Sequence, residues 1–487
     1  MTPNRIPFLR STTAALALAA LLAGCAVGPT YERPAIASPS AWKEAPAAEG
    51  WLPAAPADAL DRGEWWLLFN DAGLNELAAR VQVSNQNIAA AVASYAQATA
   101  LVREQRAGLF PTVGLSGSAG RSGDRTAGTS SGSSSVGLNV DWAPDVWGRL
   151  RAAVGSAQAS AQASAADLAA ARLSAHGELA TNYFSLREAD AELALLADTI
   201  EGYERSYTIA RNRYDAGIAA QSDVLQAQTQ LVNTRAERVA LERTRATLEH
   251  AIAVLVGAAP ADFKLPPLAA WTPAVPAVPL GVPSTLLQRR PDIAAAERAV
   301  AVANAQIGIE RSAYFPSLNL SGSLSRSASR VQDLFSASNT LWSLGLSAAQ
   351  VLFDAGAIGA RVDSAKAGHE AAVARYRQTV LTAFQGVEDQ LTATASLAQQ
   401  EALRREASVA ADKTEQQLLN RYRAGQVSYT EVVTAQASAL NARRTVLQLG
   451  VNRQVAAVGL IQGLGGGWDA GWLAGAGDVP RPSIAAP

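Results

Sequence analysis

Residues 106–123 read RAGLFPTVGLSGSAGRSG and residues 311–328 read RSAYFPSLNLSGSLSRSA; at a shift of 205 they share nine of eighteen positions. A second pair, RYDAGIAAQSDVLQAQ at 213–228 and RYRAGQVSYTEVVTAQ at 421–436, matches at a shift of 208. Two matches in the same order and at nearly the same spacing mean that one structural unit occurs twice in tandem, so the reading of one unit carries the other.

The first block contains a change of period. Ahead of it, from Leu74 to Gly108, the chain is Ala-rich with Leu74, Leu77, Val81, Ile88, Val92, Tyr95 and Leu101 at helical spacings, which predicts one amphipathic helix. Pro111 stops it, because the residue before a proline is pushed out of the α region. Beyond it Val113, Leu115 and Ala119 alternate with Gly114, Ser116, Ser118 and Gly120. After a polar loop predicted from Ser122 to Ser134, Val136, Leu138, Val140 and Trp142 alternate with small polar residues in the same way.

Period two predicts strands with one apolar face, and about ten residues are enough to cross a bilayer when tilted. Leu318, Leu320 and Leu324, then Trp342, Leu344 and Leu346, repeat the pattern in the second unit. An ordinary hairpin on a soluble core would alternate likewise. Membrane strands are favoured by Phe110, Trp142, Trp147, Tyr314, Phe315, Trp342 and Phe353, which crowd the strand ends as an aromatic girdle does. Two hairpins cannot close a barrel, and an open edge in lipid leaves backbone groups unpaired, so strands in a membrane require an oligomer; three copies would supply twelve.

Asp145 and Asp354 stand where a cap would begin the next helix of each unit. From Gly148 to Tyr214 no proline interrupts an Ala-, Gln-, Leu- and Arg-rich run, a helix of about 100 Å at 1.5 Å per residue. The segment Asp215-Ala216-Gly217 turns the chain, with Gly217 suited to the left-handed position, and Ser222 is the expected N-cap of a return helix to Gly257. Gly425 makes the corresponding turn in the second unit. One long helix matches two shorter ones laid end to end, with the Pro-rich linkers where the short ones meet.

The two ends are informative as well. Arg5 and Arg10 precede an apolar run from Ala14 to Ala23, too short to span a bilayer and built like a signal peptide over residues 1–24. It ends in Leu22-Ala23-Gly24-Cys25, which resembles a bacterial lipobox; a plain signal-peptidase site with an incidental cysteine is the alternative. Cys25 is the only cysteine among 487 residues, which excludes an intrachain disulfide. A formal charge of −1 gives no electrostatic case for nucleic acid. His176, His250 and His369 are isolated on predicted helices and form no metal cluster, and no nucleophile, base and orienting partner converge, so neither a catalytic nor a metal site is expected.

Taken in order, the lipobox with Val27-Gly28-Pro29-Thr30-Tyr31-Glu32-Arg33-Pro34, the Glu64-Trp65-Trp66 segment, the two Phe-Pro pairs, Asp145-Val146-Trp147-Gly148-Arg149, Leu287-Gln288-Arg289-Arg290-Pro291-Asp292-Ile293 and the paired Arg-Tyr-x-Ala-Gly segments resemble the outer membrane factor family, the TolC/OprM (NodT-type) outer membrane efflux lipoproteins. The resemblance implies a mainly α chain with a β-barrel part: a tandem-duplicated unit whose trimer forms a 12-stranded transmembrane β-barrel continued by a long periplasmic α-helical barrel. The implied organisation is a signal peptide (1–24), a lipidated tether and equatorial segment (25–73), repeat 1 (74–257), a Pro-rich equatorial linker (258–283), repeat 2 (284–465) and a tail (466–487).

The implied function is passive: the outer-membrane channel of a tripartite efflux system, carrying small toxic compounds outward. Its expected partners are two further copies, a periplasmic adaptor, an inner-membrane pump of the resistance-nodulation-division type and outer-membrane lipid, with no cofactor beyond the lipid on Cys25. A duct for type I protein secretion is the near alternative, and a non-conducting coiled-coil lipoprotein the more distant one. The family places a periplasmic gate at residues matching Asp223, Tyr422 and Glu431, with Gly217 and Gly425 at the hairpin tips. Two positions depart from the pattern: Val427 stands where some members have a gate arginine, and Thr434 at a second acidic position. Asp223 and Glu431 also suit an ordinary helix N-terminus.

Overall fold

The computed structural model describes residues 27–44, 64–124, 129–268, 271–278, 283–334 and 340–468. Cys25 and the leader, together with the tail beyond Trp468, lie outside the described residues. The chain forms two compact units, one from residues 1–36, 94–165 and 295–377, the other from residues 37–93, 166–294 and 378–487. Each unit draws on both sequence repeats.

The first unit holds a single four-stranded sheet in the order β1 (Thr112–Asp124), β2 (Thr129–Trp142), β3 (Ser317–Ala328) and β4 (Thr340–Ala349), antiparallel throughout. The first hairpin extends further than its polar composition suggested. Its Gly/Ser stretch pairs out to Asp124 with Thr129, and the hydroxyls of Ser118 and Ser135 lie 2.8 Å apart across the strands. Small side chains thus keep the ladder going where a loop was expected.

Register places Leu115, Leu138, Leu324 and Trp342 in one row across the four strands. They are 77%, 43%, 52% and 78% exposed, so this face is an uncovered apolar surface rather than half of a core. The opposite face carries Ser116, Asn139, Ser323 and Ser343 and is tied by side-chain hydrogen bonds, Asn139 to Ser116 at 3.1 Å and Ser323 to Ser343 at 2.8 Å. The aromatic residues at the strand ends have polar partners: Trp142 Nε1 donates to the Leu109 carbonyl (3.0 Å), and Trp147, stacked on Phe315, donates to the Pro316 carbonyl (2.6 Å).

The tether residues in this unit are fixed. The Val27 amide donates to the Trp147 carbonyl, Asn304 donates to the Pro29 carbonyl, and the Tyr31 hydroxyl donates to Glu297. Gly28 and Gly308 touch backbone to backbone, since a Cβ on either would stand 3.0 Å from the other's Cα.

Seven helices of three turns or more complete the fold: α1 (Ala72–Ser84), α2 (Gln86–Ala107), α3 (Arg149–Asp215), α4 (Gln221–Leu255), α5 (Pro291–Arg311), α6 (Ala357–Arg423) and α7 (Tyr429–Gly463). The two long ones, α3 and α6, have 67 residues each, and both return helices have 35. Asp145 accepts from the Leu150 and Arg151 amides and Asp354 from Gly356 and Ile358, so both aspartates satisfy first-turn donors of the long helices. The Ile358 amide above all holds the Asp354 carboxyl below its ordinary range.

The helix expected from Leu74 to Gly108 is two helices, broken at Asn85. Asn85 Oδ1 accepts from the Asn87 and Ile88 amides and restarts the helix, while its Nδ2 donates to the Leu255 carbonyl at the end of α4. The second repeat reproduces this join: Arg290 Nη1 donates to the Gly463 carbonyl at the end of α7, immediately before α5.

Buried charge pins the Pro-rich linker in the second unit. Arg187 bridges Asp190 and the Pro266 carbonyl, Arg245 bridges Asp190 and the Leu265 carbonyl, and Glu249 accepts from the Leu265 amide. Such a set persists only because each buried charge is paired and each lone pair answered. Nearby Trp65, Trp66, Phe69 and Phe184 pack edge to face or tilted, and His176 stacks on Trp66 at 4.3 Å. His176 is a packed residue, bonded to the Arg172 and Ala78 carbonyls, and its burial lowers its pKa.

Candidate functional site

Each long helix ends in the same turn. After α3, the Ile218 amide reaches back to the Arg213 carbonyl and the Gly217 amide to Tyr214, both at 2.8 Å; after α6, Gln426 reaches Arg421 and Gly425 reaches Tyr422, both at 2.9 Å. This double bond pattern requires a left-handed residue at the turn, and Gly217 and Gly425 supply it with φ of 71° and 75°. The return helix α4 begins one residue earlier than expected. Ala220 is its N-cap, without a side-chain bond, and Ser222 lies inside the first turn, because the preceding turn already delivers the chain in an extended conformation at Ala220.

Between the two tips lies a small core of Ala210, Ala227, Tyr422, Tyr429 and Val432. Tyr422 is 3% exposed, its ring tilted 60° against Tyr429 at 5.1 Å. Its hydroxyl points at Asp223 Oδ2 from 3.5 Å, the outer limit of a hydrogen bond. Burial, and then the Asp223 charge, raises the Tyr422 pKa; burial also raises that of Tyr429. Both phenols therefore stay neutral donors well above neutral pH.

Glu431 does something different within the protomer. It accepts from the Ser428 amide at 3.2 Å and from the Ser428 hydroxyl at 3.1 Å, as the third residue of α7 folding back on its cap. Val427 is half-buried against the tyrosine core, so where some members of the resembled family carry a cation this chain carries apolar packing. Thr434 bonds its own helix at the Thr430 carbonyl, and Thr430 in turn reaches Gln226 on α4.

One residue at the tip escaped the sequence reading. Arg213, at the end of α3, sends Nη1 to the carbonyls of Tyr422 (3.0 Å) and Arg423 (3.2 Å), while its guanidinium lies 4.9 Å from the Tyr422 ring centroid. A cation thus sits on the negative end of α6 and on the face of the gate tyrosine at once. The available signal was its place at the head of the repeated block. Its counterpart Arg421 is exposed, and nothing in the repeat says which of the two turns inward.

Relatives were found by three routes. The profile of the outer membrane efflux protein family matches residues 77–258 and 282–466. Among curated proteins, the probable efflux pump outer membrane protein TtgC of Pseudomonas putida is 30% identical over 460 residues, covering 92% of this chain and 94% of that one. Outer membrane protein OprJ of Pseudomonas aeruginosa is 31% identical over 468 residues (94% and 96%), and the cation efflux system protein CusC of Escherichia coli 29% over 454 (92% and 98%).

Solved structures agree. The outer-membrane channel OprN superposes with a TM-score of 0.84 at 30% identity, covering 91% of this chain and all of that one; a CusC structure gives 0.81 at 27%, covering 90% and 99%. The MtrE outer membrane channel of Neisseria gonorrhoeae, in its open state, gives 0.79 at 25%, covering 92% and 99%. On the duplicated unit, the apolar-faced sheet, the paired tips and these matches, the chain belongs to the outer membrane efflux protein family and is a channel protein of the outer membrane.

Proposed function

We propose that three copies of this chain close their sheets into a twelve-stranded barrel and form the passive exit duct of a tripartite efflux system for small toxic compounds. The observation that carries this reading is the sheet itself: four strands, an uncovered apolar face and two unpaired edges, β1 and β4. In hydrocarbon each unpaired backbone group costs several kcal/mol, so the edges must pair, and only other copies offer a matching edge. Repeat 1 (74–257) and repeat 2 (284–465) each contribute one hairpin and one helical tip to the duct.

Energy and substrate choice then belong to the partners, an inner-membrane pump of the resistance-nodulation-division type and a periplasmic adaptor. The chain itself catalyses no reaction and needs no cofactor. Lipidation of Cys25 fits the docked tether, because Val27, two residues on, is bonded to Trp147 at the base of the sheet. Export is the function named for two of the relatives above, for cations in the case of CusC.

The periplasmic gate is assigned to Asp223 and Tyr422, with Glu431 narrowing the mouth in the assembled trimer. Single-channel conductance in planar bilayers tests both parts. The wild type should give a small, stable conductance and Asp223→Ala or Tyr422→Phe a larger one. Verified, inserted protein that leaves the membrane silent would refute the duct; unchanged conductance in both variants would refute the gate.

A further inference from the structure

We infer that Arg121 and Arg326 form a binding site for a phosphorylated lipid headgroup at the outer rim of the barrel. The two arginines hold the same place in the two copies of the duplicated block, and both fall on the apolar parity of their strands. On β1 that parity runs Val113, Leu115, Gly117, Ala119 and then Arg121; on β3 it runs Leu318, Leu320, Gly322, Leu324 and then Arg326. Each apolar row therefore ends in a guanidinium after the same number of steps.

The number of steps has a physical meaning. Arg121 lies nine residues beyond Thr112 and Arg326 nine beyond Ser317, the first residues of their strands. At about 3.3 Å per residue and a tilt of about 40°, that is roughly 23 Å of height, the thickness of the apolar band of a membrane barrel. The long helices α3 and α6 begin at the opposite end of the strands, on the periplasmic side, so the arginines mark the boundary with the outer leaflet.

Charge is sorted between the faces. Among the described strand residues, Arg121 and Arg326 are the charged groups of the apolar parity, whereas the acids Asp124 and Asp141 lie on the polar one. Cross-strand neighbours of the arginines are small, Gly132 beside Arg121 and Thr340 beside Arg326. Either guanidinium thus has room to present its planar fork to a phosphate whose acyl chains lie along the row below. A phosphorylated glycolipid of the outer leaflet combines both halves of that description.

The inference rests on the barrel reading, with the apolar face turned to lipid, and its test separates the two. Full-length protein in detergent is titrated with diphosphoryl lipid A and with the same lipid enzymatically dephosphorylated, after conductance in planar bilayers has been recorded. Wild type should prefer the phosphorylated lipid by about tenfold, and R121Q/R326Q should bind both forms alike while still conducting. Inorganic phosphate should not compete, because it lacks the chains that occupy the apolar row.

If the double variant fails to insert, R121Q and R326Q separately should each lose part of the preference. A conducting wild type without preference, variants that keep the full preference, or competition by inorganic phosphate would overturn the site alone. A wild type that never conducts would remove the barrel and the site with it.

Discussion

At the tip, one guanidinium holds three things: two helix-end carbonyls and the face of Tyr422. The Tyr422–Asp223 bond, at 3.5 Å, is too long to hold the tip by itself. Arg213 is therefore the stronger latch within the protomer, and Val427 fills the apolar side of the same cluster. Arg213→Ala should lower stability against denaturant by about 1.5 to 3 kcal/mol, the value of hydrogen bonds from a charged donor, and should also raise single-channel conductance. Arg213→Lys, which keeps the charge but not the fork, should recover part of both. An Arg213→Ala protein with wild-type conductance would mean that the guanidinium only packs the tip.

Two classes of glycine separate the elements. Gly217 and Gly425 at the tips, and Gly257 and Gly465 after the return helices, all have positive φ, between 70° and 94°. A methyl group at Gly217 would meet nothing within 4 Å, whereas at Gly465 it would stand 1.9 Å from the Arg289 carbonyl oxygen and at Gly257 2.3 Å from that of Ser84. Gly217→Ala should therefore cost only the left-handed penalty, about 1 to 2 kcal/mol. Gly465→Ala must in addition push apart the join between α7 and α5, and its loss of stability in a denaturant titration should be clearly larger. Equal losses would contradict the close approach.

The same elements show what a sequence discloses. Period and duplication made the strands, the long helices and the glycine turns legible because each is a local pattern repeated. The break at Asn85 was not, since an asparagine in an Ala-rich run is unremarkable until its amide finds the Leu255 carbonyl 170 residues away. Arg213 was hidden for a related reason: its partners belong to the other repeat.

At the scale of the whole molecule, the apolar row of Leu115, Leu138, Leu324 and Trp342 has no cover within the chain, and the edges β1 and β4 have no partner strand there. Lipid for the row and further copies for the edges answer both deficits together, and the helical tips become a common mouth in the same step. Electron cryomicroscopy of the protein in lipid nanodiscs tests this most directly, by counting chains and strands in the membrane section. The account predicts three copies, twelve strands and the Leu115 to Trp342 row turned to the lipid; a monomer or dimer, or a closed barrel with that row turned inward, would contradict it.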